Sequence, residues 1–530
     1  MNKISVLDCT LRDGGYINDF KFGNKTIKKI ISLLGKANID IIECGFLRTC
    51  KSDSDCTIFN SVESFRDVIN EKKVGSIYVG MIQYGAISID EIEDYDATSI
   101  DGIRLTFHEH EIDGAFEMAY QLKEKGYKVF VQPVGTTTYE DIELIKLVQR
   151  VNELKPYAFY MVDTLGAMYE NDLQRMLYII DANLDFRIQL GFHSHNNLQM
   201  SFANAQMLIK SFTKRDLIID SSILGMGRGA GNLNTELIIH YLNESFGLKY
   251  DRDIILSIID KYVLPIRQEY KWGYDAAYYL AAITNTHPNY ASYLINLNTL
   301  NASDISTILN NLDKERRVLF DEDYITDKYL NYMEYYIDDI EVIRWTRRLI
   351  NNKRIVLLAP GKSLKDNESI VNEIISEEDF FVISINFIPE NIPIDMLFVS
   401  NSKRFSSINE LEGVNSVVVT SNIYKEDSEN VRVINYASYL NEDKSIVDNA
   451  GLMCINFLKR VNAKNLLLVG FDGFSARVSD NYYEESLYFD VEEERLLQMN
   501  VAIANKISQL KKQINIEFIG KTIYEKSSDI

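Results

Sequence analysis

The stretch GIRLTFHEHEIDGAFEMAYQLKEKGYKVFVQPVGTTTYEDIELIKLVQRVNELKPYAFYMVD (102–163) decides the fold. It carries three short β-rich segments, GIRLTF (102–107), YKVFVQPV (127–134) and AFYMVD (158–163), with the helix-patterned EDIELIKLVQRVNEL (140–154) before the last. Working outward, ISVLDC (4–9), IDIIECGF (39–46), SIYVGMI (76–82), RIQLGFH (187–193) and LIIDSSI (217–223) have the same character. NKTIKKIISLLGKAN (24–38) and LQMSFANAQMLIKSF (198–212) supply helical periodicity between them. Eight βα units in series predict a (β/α)8 TIM barrel, with an open doubly wound sheet as the competing arrangement.

Beyond 235 the strand signal gives way to helical patterning that reaches 350, and at Lys353 strands return. KRIVLLAPGKSL (353–364) reads as strand, glycine turn and helix, and FFVISINF (380–387), DMLFVSN (395–401), VNSVVVTS (414–421) and KNLLLVGFDG (464–473) as further buried strands. The expected division is a barrel over 1–295, a helical extension or connector over 296–350, and a Rossmann-like α/β domain over 351–530. A chain of 530 residues is long for one core, which agrees with two domains.

The net charge of −21 argues against nucleic acid or an acidic membrane surface as partner, though a few local cations still admit a small anionic substrate. No apolar run is long enough to span a bilayer, and the chain enters its first strand at once, leaving no room for a signal peptide. Five cysteines without a regular framework fit a reducing cytoplasm.

In a barrel of this type the reactive groups sit at the carboxyl ends of the strands. Four such ends are polar here: DCTLRDGGY (8–16), YMVDTLG (160–166), GFHSHNN (191–197) and DSSILGMGRGAGN (220–232). Residues two apart on a strand face one way, so His193 and His195 converge, and two imidazoles with a carboxylate make a divalent-metal site. A satisfied core pair is the bland alternative. For Arg12–Asp13 it is a rim ion pair, and for Asp163 and Thr164 a helix cap. The four glycines of 225–231 allow close backbone approach to a ligand, or else make a plain loop capped by Asn232.

Together, LDCTLRDGG, GFHSHNN and GMGRGAGN resemble the metal-dependent lyase and synthase barrels that include 4-hydroxy-2-oxovalerate aldolase, hydroxymethylglutaryl-CoA lyase and isopropylmalate synthase. WGYDAAYYLAAITNTHPNYASYL (272–294) is similar to the helical region after the barrel in aldolase-type members. The resemblance implies Asp13, His193 and His195 as metal ligands with Asn232 as a fourth, and Arg12 as a second positive charge on an enolate. Mn2+ or Mg2+ is expected, with Zn2+ or Co2+ also compatible with mixed N and O ligation. The implied reaction is aldol cleavage of a 4-hydroxy-2-oxo acid, or a sugar-like analogue, to a 2-oxo acid and an aldehyde. Pyruvate-forming members commonly carry a histidine base where this chain has Tyr16, so the base falls to Tyr16, His108, His110 or Tyr290. A tyrosine hydroxyl with an ordinary pKa near 10 is a poor base at neutral pH. A Claisen-type acyl-CoA synthase and a non-catalytic barrel scaffolding a glycosyltransferase-like domain are the competing functions, and a homo-oligomer is expected.

In the second domain, VLLAPGKSL (356–364) lacks the first glycine of a P-loop. APGKSL, SIN (384–386), DMLFVSNSKRF (395–405) and LVGFDGF (468–474) resemble bacterial sialyltransferase-type nucleotide-binding proteins of surface-polysaccharide clusters. That resemblance implies Gly361, Ser363, Asn386 and Asn401 around a nucleotide or sugar nucleotide, with Lys403 or Arg404 near phosphate, and a bifunctional protein of polysaccharide biosynthesis.

Overall fold

The structure is a computed structural model describing residues 3–297, 299–334, 336–377, 380–408, 414–423, 431–475, 477, 481–484, 487 and 493–525. The chain divides into two compact units, Met1–Pro288 with Arg317–Leu319, and Asn289–Arg316 with Phe320–Ile530.

In the first unit, β1 (Ile4–Asp8), β2 (Ile41–Leu47), β3 (Ile58–Phe59), β4 (Ile77–Gln83), β5 (Gly102–Phe107), β6 (Lys128–Pro133), β7 (Ala158–Asp163), β8 (Gln189–Ser194) and β9 (Leu217–Ser221) are all parallel. β1 pairs with both β9 and β2, which closes eight strands into a barrel; the two-residue β3 lies outside β2. The TIM barrel read from the sequence is therefore the observed fold, and the open-sheet alternative is excluded by that closure. Strands covered on both faces are almost uniformly buried, as in β2 and β7, and this is why they read as apolar runs. The helices bury one stripe each: Asn24–Lys36 turns Ile27, Ile30, Ile31 and Leu34 inward, and Asp141–Leu154 turns Leu144, Leu147, Val148, Val151 and Leu154. Both sets follow the i, i+3, i+4, i+7 spacing of an amphipathic helix.

The second unit holds β10 (Arg354–Leu358), β11 (Phe380–Ile385), β12 (Met396–Val399), β13 (Val417–Thr420), β14 (Val431–Ile434), β15 (Asn465–Val469) and β16 (Asn515–Ile519), in the order β14-β13-β12-β11-β10-β15-β16 and all parallel. The edge strands β14 and β16 were not read from the sequence. Each is only partly covered, so charged residues such as Arg432 and Glu517 interrupt its apolar pattern. The segment expected as a connector is tied to this sheet: Ser402 N donates to Thr299 O at 3.0 Å and Tyr439 Oη to Asp339 Oδ2 at 2.6 Å.

All five cysteines are free. Among the described residues, no helix is long and apolar enough to cross a membrane.

Candidate metal centre in the barrel

The carboxyl ends of β1, β8 and β9 build the site. As β1 ends, the chain turns through Cys9–Asp13, with Asp13 N donating to Cys9 O at 2.8 Å, and this carries Arg12 and Asp13 inward to 4% and 1% exposure. At the end of β8, His193 and His195 face the same interior, as two-residue strand spacing requires. One ligand atom each from Asp13, His193 and His195 lies within 4.8 Å of the others, and all three residues are buried.

The histidines are held in the tautomer a metal needs. His195 Nδ1 sits 3.1 Å from Arg228 O, a group that only accepts, so Nδ1 carries the proton and Nε2 presents its lone pair. His193 Nδ1 lies 3.0 Å from Asp220 Oδ2. Although burial pushes the Asp220 carboxyl up, Arg104 and His193 outweigh it and hold it below the ordinary range, which keeps it an acceptor. Burial is also the first influence on the Asp13 carboxyl and opposes ionisation; Arg12, His195 and His193 overcome it and drive its pKa well down. The His195 imidazole is pushed down to about 3, first by burial, and so is neutral and ready to coordinate.

Asn232 completes the set. Its Nδ2 donates to Asp13 Oδ2 at 2.5 Å, while its Oδ1 is buried with no hydrogen-bond partner. An orphaned acceptor beside a carboxylate and two imidazoles fits a divalent ion. Gly227 keeps this corner open: a Cβ there would lie 2.2 Å from Asn232 Nδ2 and 2.6 Å from Asp13 Oδ2.

Arg12 donates from Nε to Glu43 Oε2 at 2.8 Å and from Nη1 to Asp13 Oδ1 at 2.6 Å, and its Nη2 is buried without a partner. Two of its three nitrogens are thus anchored and the third is left for a ligand. Glu43 also accepts from Arg104 Nη1 at 2.7 Å, and Arg104 Nη2 pairs with Asp220. The chain Asp13–Arg12–Glu43–Arg104–Asp220–His193 links two members of the Asp-His-His group through the barrel interior. Sequence reading missed Glu43, Arg104 and Asp220 as members of the site. The available signal was the single charge inside each of the strands IIECGFL (41–47) and GIRLTF (102–107). Asp220→Asn should weaken divalent-metal affinity about 10- to 100-fold, because the support of His193 is lost. Calorimetric titration with Mn2+ measures this, and an unchanged affinity would remove Asp220 from the site.

The other residues singled out in the sequence are placed differently. Tyr16 is 43% exposed at the rim, edge-on to Phe20 and Phe46, with the Arg228 guanidinium 5.2 Å from its ring centroid. His108 and His110 stack at 5.8 Å just beyond β5, and burial pushes the His108 imidazole down. Tyr290 belongs to the second unit, where its hydroxyl donates to Arg316 O at 2.9 Å and accepts from Asp321 N at 3.2 Å. Asp163 accepts from Ala167 N and Met168 N in the loop before the helix Glu170–Asn183, whose N-cap is Tyr169, so it braces the loop and is not the helix cap, and burial raises its pKa to about 7. His287 lies within WGYDAAYYLAAITNTHPNYASYL (272–294). It is 8% exposed, and burial followed by the charges of Arg228 and His195 pushes it down to about 3.

In the second unit, Ser363 N donates to Asp472 Oδ2 at 2.7 Å and its hydroxyl donates to the same carboxylate. Gly361 packs against the turn after β15, where a Cβ would meet Gly470 O at 2.1 Å. Asn386 Oδ1 accepts from Ser400 N and Asn401 Oδ1 from Arg404 N, each at 3.0 Å. Arg404 donates to Leu487 O, and burial pushes its pKa down; burial also lowers that of Lys403.

A closed parallel barrel whose strand ends hold a buried Asp-His-His group beside an arginine defines a metal-dependent aldolase or lyase that uses a divalent ion. The HMGL-like family model matches residues 3–257, and this N-terminal part of the chain is similar to that family. An oxaloacetate decarboxylase of Mycobacterium tuberculosis is 27% identical over 239 residues, covering 44% of this chain and 68% of the relative. A 4-hydroxy-2-oxovalerate aldolase of Bacillus thuringiensis is 25% identical over 339 residues, covering 61% and 94%. Among solved structures, the N-terminal domain of a candidate aldolase from Bacteroides vulgatus is similar at 26% identity and TM-score 0.48, covering 55% of this chain and 96% of that one.

Proposed function

We propose that the barrel cleaves a 4-hydroxy-2-oxo acid, or a sugar-like analogue, to pyruvate and an aldehyde. The observation that carries this reading is the unpartnered Arg12 Nη2 beside the Asp13–His193–His195 group. A divalent ion, Mn2+ or Mg2+ by preference, supplies Lewis-acid polarisation of the 2-oxo acid when bound. Asp13, His193, His195 and the Asn232 Oδ1 would hold it. Arg12 Nη2 donates to the keto oxygen as negative charge gathers there, with its guanidinium kept in place by Asp13 and Glu43. An imidazole nitrogen of His108, neutral because burial disfavours its cation, receives the proton of the 4-hydroxyl. Tyr16 and Arg228 form the rim against which the aldehyde portion lies. Arg12→Ala should lower kcat about 10²- to 10³-fold while leaving bound metal unchanged. Pyruvate release coupled to a reporter dehydrogenase measures it, and a wild-type kcat would dismiss Arg12.

A second reading is decarboxylation of a 2-oxo diacid, supported by the Mycobacterium relative. Loss of CO2 gives the same enolate without removing a hydroxyl proton, so having Tyr16 in place of an imidazole costs that reaction nothing. Parallel assays with 4-hydroxy-2-oxovalerate and oxaloacetate separate the two.

We further propose that the second unit binds a nucleotide or sugar nucleotide and that the protein serves glycan biosynthesis. Supporting this is the reversal of strand order at β10, where open α/β sheets take their ligands. Titration of the whole protein with CMP, UDP and GDP tests it; silence for all three removes it.

A further inference from the structure

The second unit contains a cavity of about 230 Å³ at the carboxyl ends of β10, β11, β12 and β15. Its lining is polar in two distinct ways.

On the strand side, the glycine turn after β10 is already filled. The Asp472 carboxylate takes both the N–H and the hydroxyl of Ser363, which are the donors a phosphate would use there. Phosphate at this turn would have to displace or face a carboxylate. Beside it, Ser400 is 3% exposed and lines the cavity, and its Oγ is buried with no hydrogen-bond partner. Asn386 braces it: with φ at +62°, in the left-handed region, Asn386 accepts the backbone N–H of Ser400. A buried hydroxyl without a partner costs free energy unless a ligand or water supplies one.

Elsewhere the lining includes Asn449, Ala450 and Gly451, which open the eleven-residue helix Ala450–Arg460. The Asn449 side chain caps Leu452 N at 3.1 Å, and the N–H groups of Ala450 and Gly451 have no acceptor within the helix. Arg495, on the helix Glu493–Leu510, lines the same cavity. Asp448 is also there, its carboxyl engaged by the Tyr329 hydroxyl, and burial favours its protonated form. A cation and a helix start with unused donors make the anion-accepting part of this cavity.

We propose that the second unit takes a nucleoside phosphate with its phosphate at Arg495 and the start of the helix Ala450–Arg460, and with its sugar and base at Ser400 and Asp472. This placement rests on the nucleotide reading given above and is the reverse of a glycine-turn phosphate site. Asp472 then accepts from ligand hydroxyl or N–H groups, a role open to a carboxylate and closed to a phosphate pocket.

The test is calorimetric titration of the full-length protein and its Arg495→Ala and Arg495→Lys variants with CMP, UDP and GDP, with thermal melts confirming that each is folded. At least one nucleotide should bind the wild type. Arg495→Ala should weaken it about tenfold, the loss of one charge-assisted hydrogen bond. Arg495→Lys should restore most of that loss. An Arg495→Ala effect under threefold overturns the placement and leaves nucleotide binding standing. Silence of the wild type toward all three overturns both.

Discussion

Replacing His193 with alanine is expected to abolish turnover, by about a thousandfold or more, while leaving the barrel folded. The ion's contribution to charge stabilisation is several kcal/mol, and each 1.36 kcal/mol is about tenfold in rate. His193 is one of three converging ligands, so its loss leaves Asp13 and His195 to hold the ion with Asn232. The variant should therefore come through dialysis with little metal, whereas the wild type should retain it and regain activity after chelation only when Mn2+ or Mg2+ returns. Metal content by plasma mass spectrometry and pyruvate release from a 4-hydroxy-2-oxo acid give the two readouts. Equal turnover in the metal-stripped wild type would end the metal's role.

Replacing Arg104 with methionine should produce the largest loss of stability, about 3–5 kcal/mol, because Asp220 would be left a buried charge with no guanidinium and Glu43 would keep only Arg12. Arg104 is completely buried and its guanidinium also lies 4.8 Å from the centroid of Tyr160. Burial disfavours its cation, but Asp220 and Glu43 outweigh that and raise its pKa, so it stays charged throughout the working range. The loss should appear as a lower midpoint of the first transition in urea. Adding Asp220→Asn to Arg104→Met should recover part of it, since the stranded charge is then gone. A single variant as stable as wild type would show that the network is not structural.

The sequence by itself determined the barrel and pointed to the three residues of the Asp-His-His group. Parallel strands covered on both faces must be apolar throughout, so their order is written as eight runs, and Asp13, His193 and His195 stand at run ends where the chain has few other reasons to be polar. The two-residue spacing of His193 and His195 also settles their direction, because strand geometry is local. Tertiary structure decided everything that depends on which strands meet. Glu43, Arg104 and Asp220 come from β2, β5 and β9, and become one network only when the barrel closes. In the second unit, GKS at 361–363 suggested a phosphate turn, but Asp472, more than a hundred residues away, occupies its donors. Local motifs report backbone geometry; whether a donor is free depends on what long-range packing brings against it.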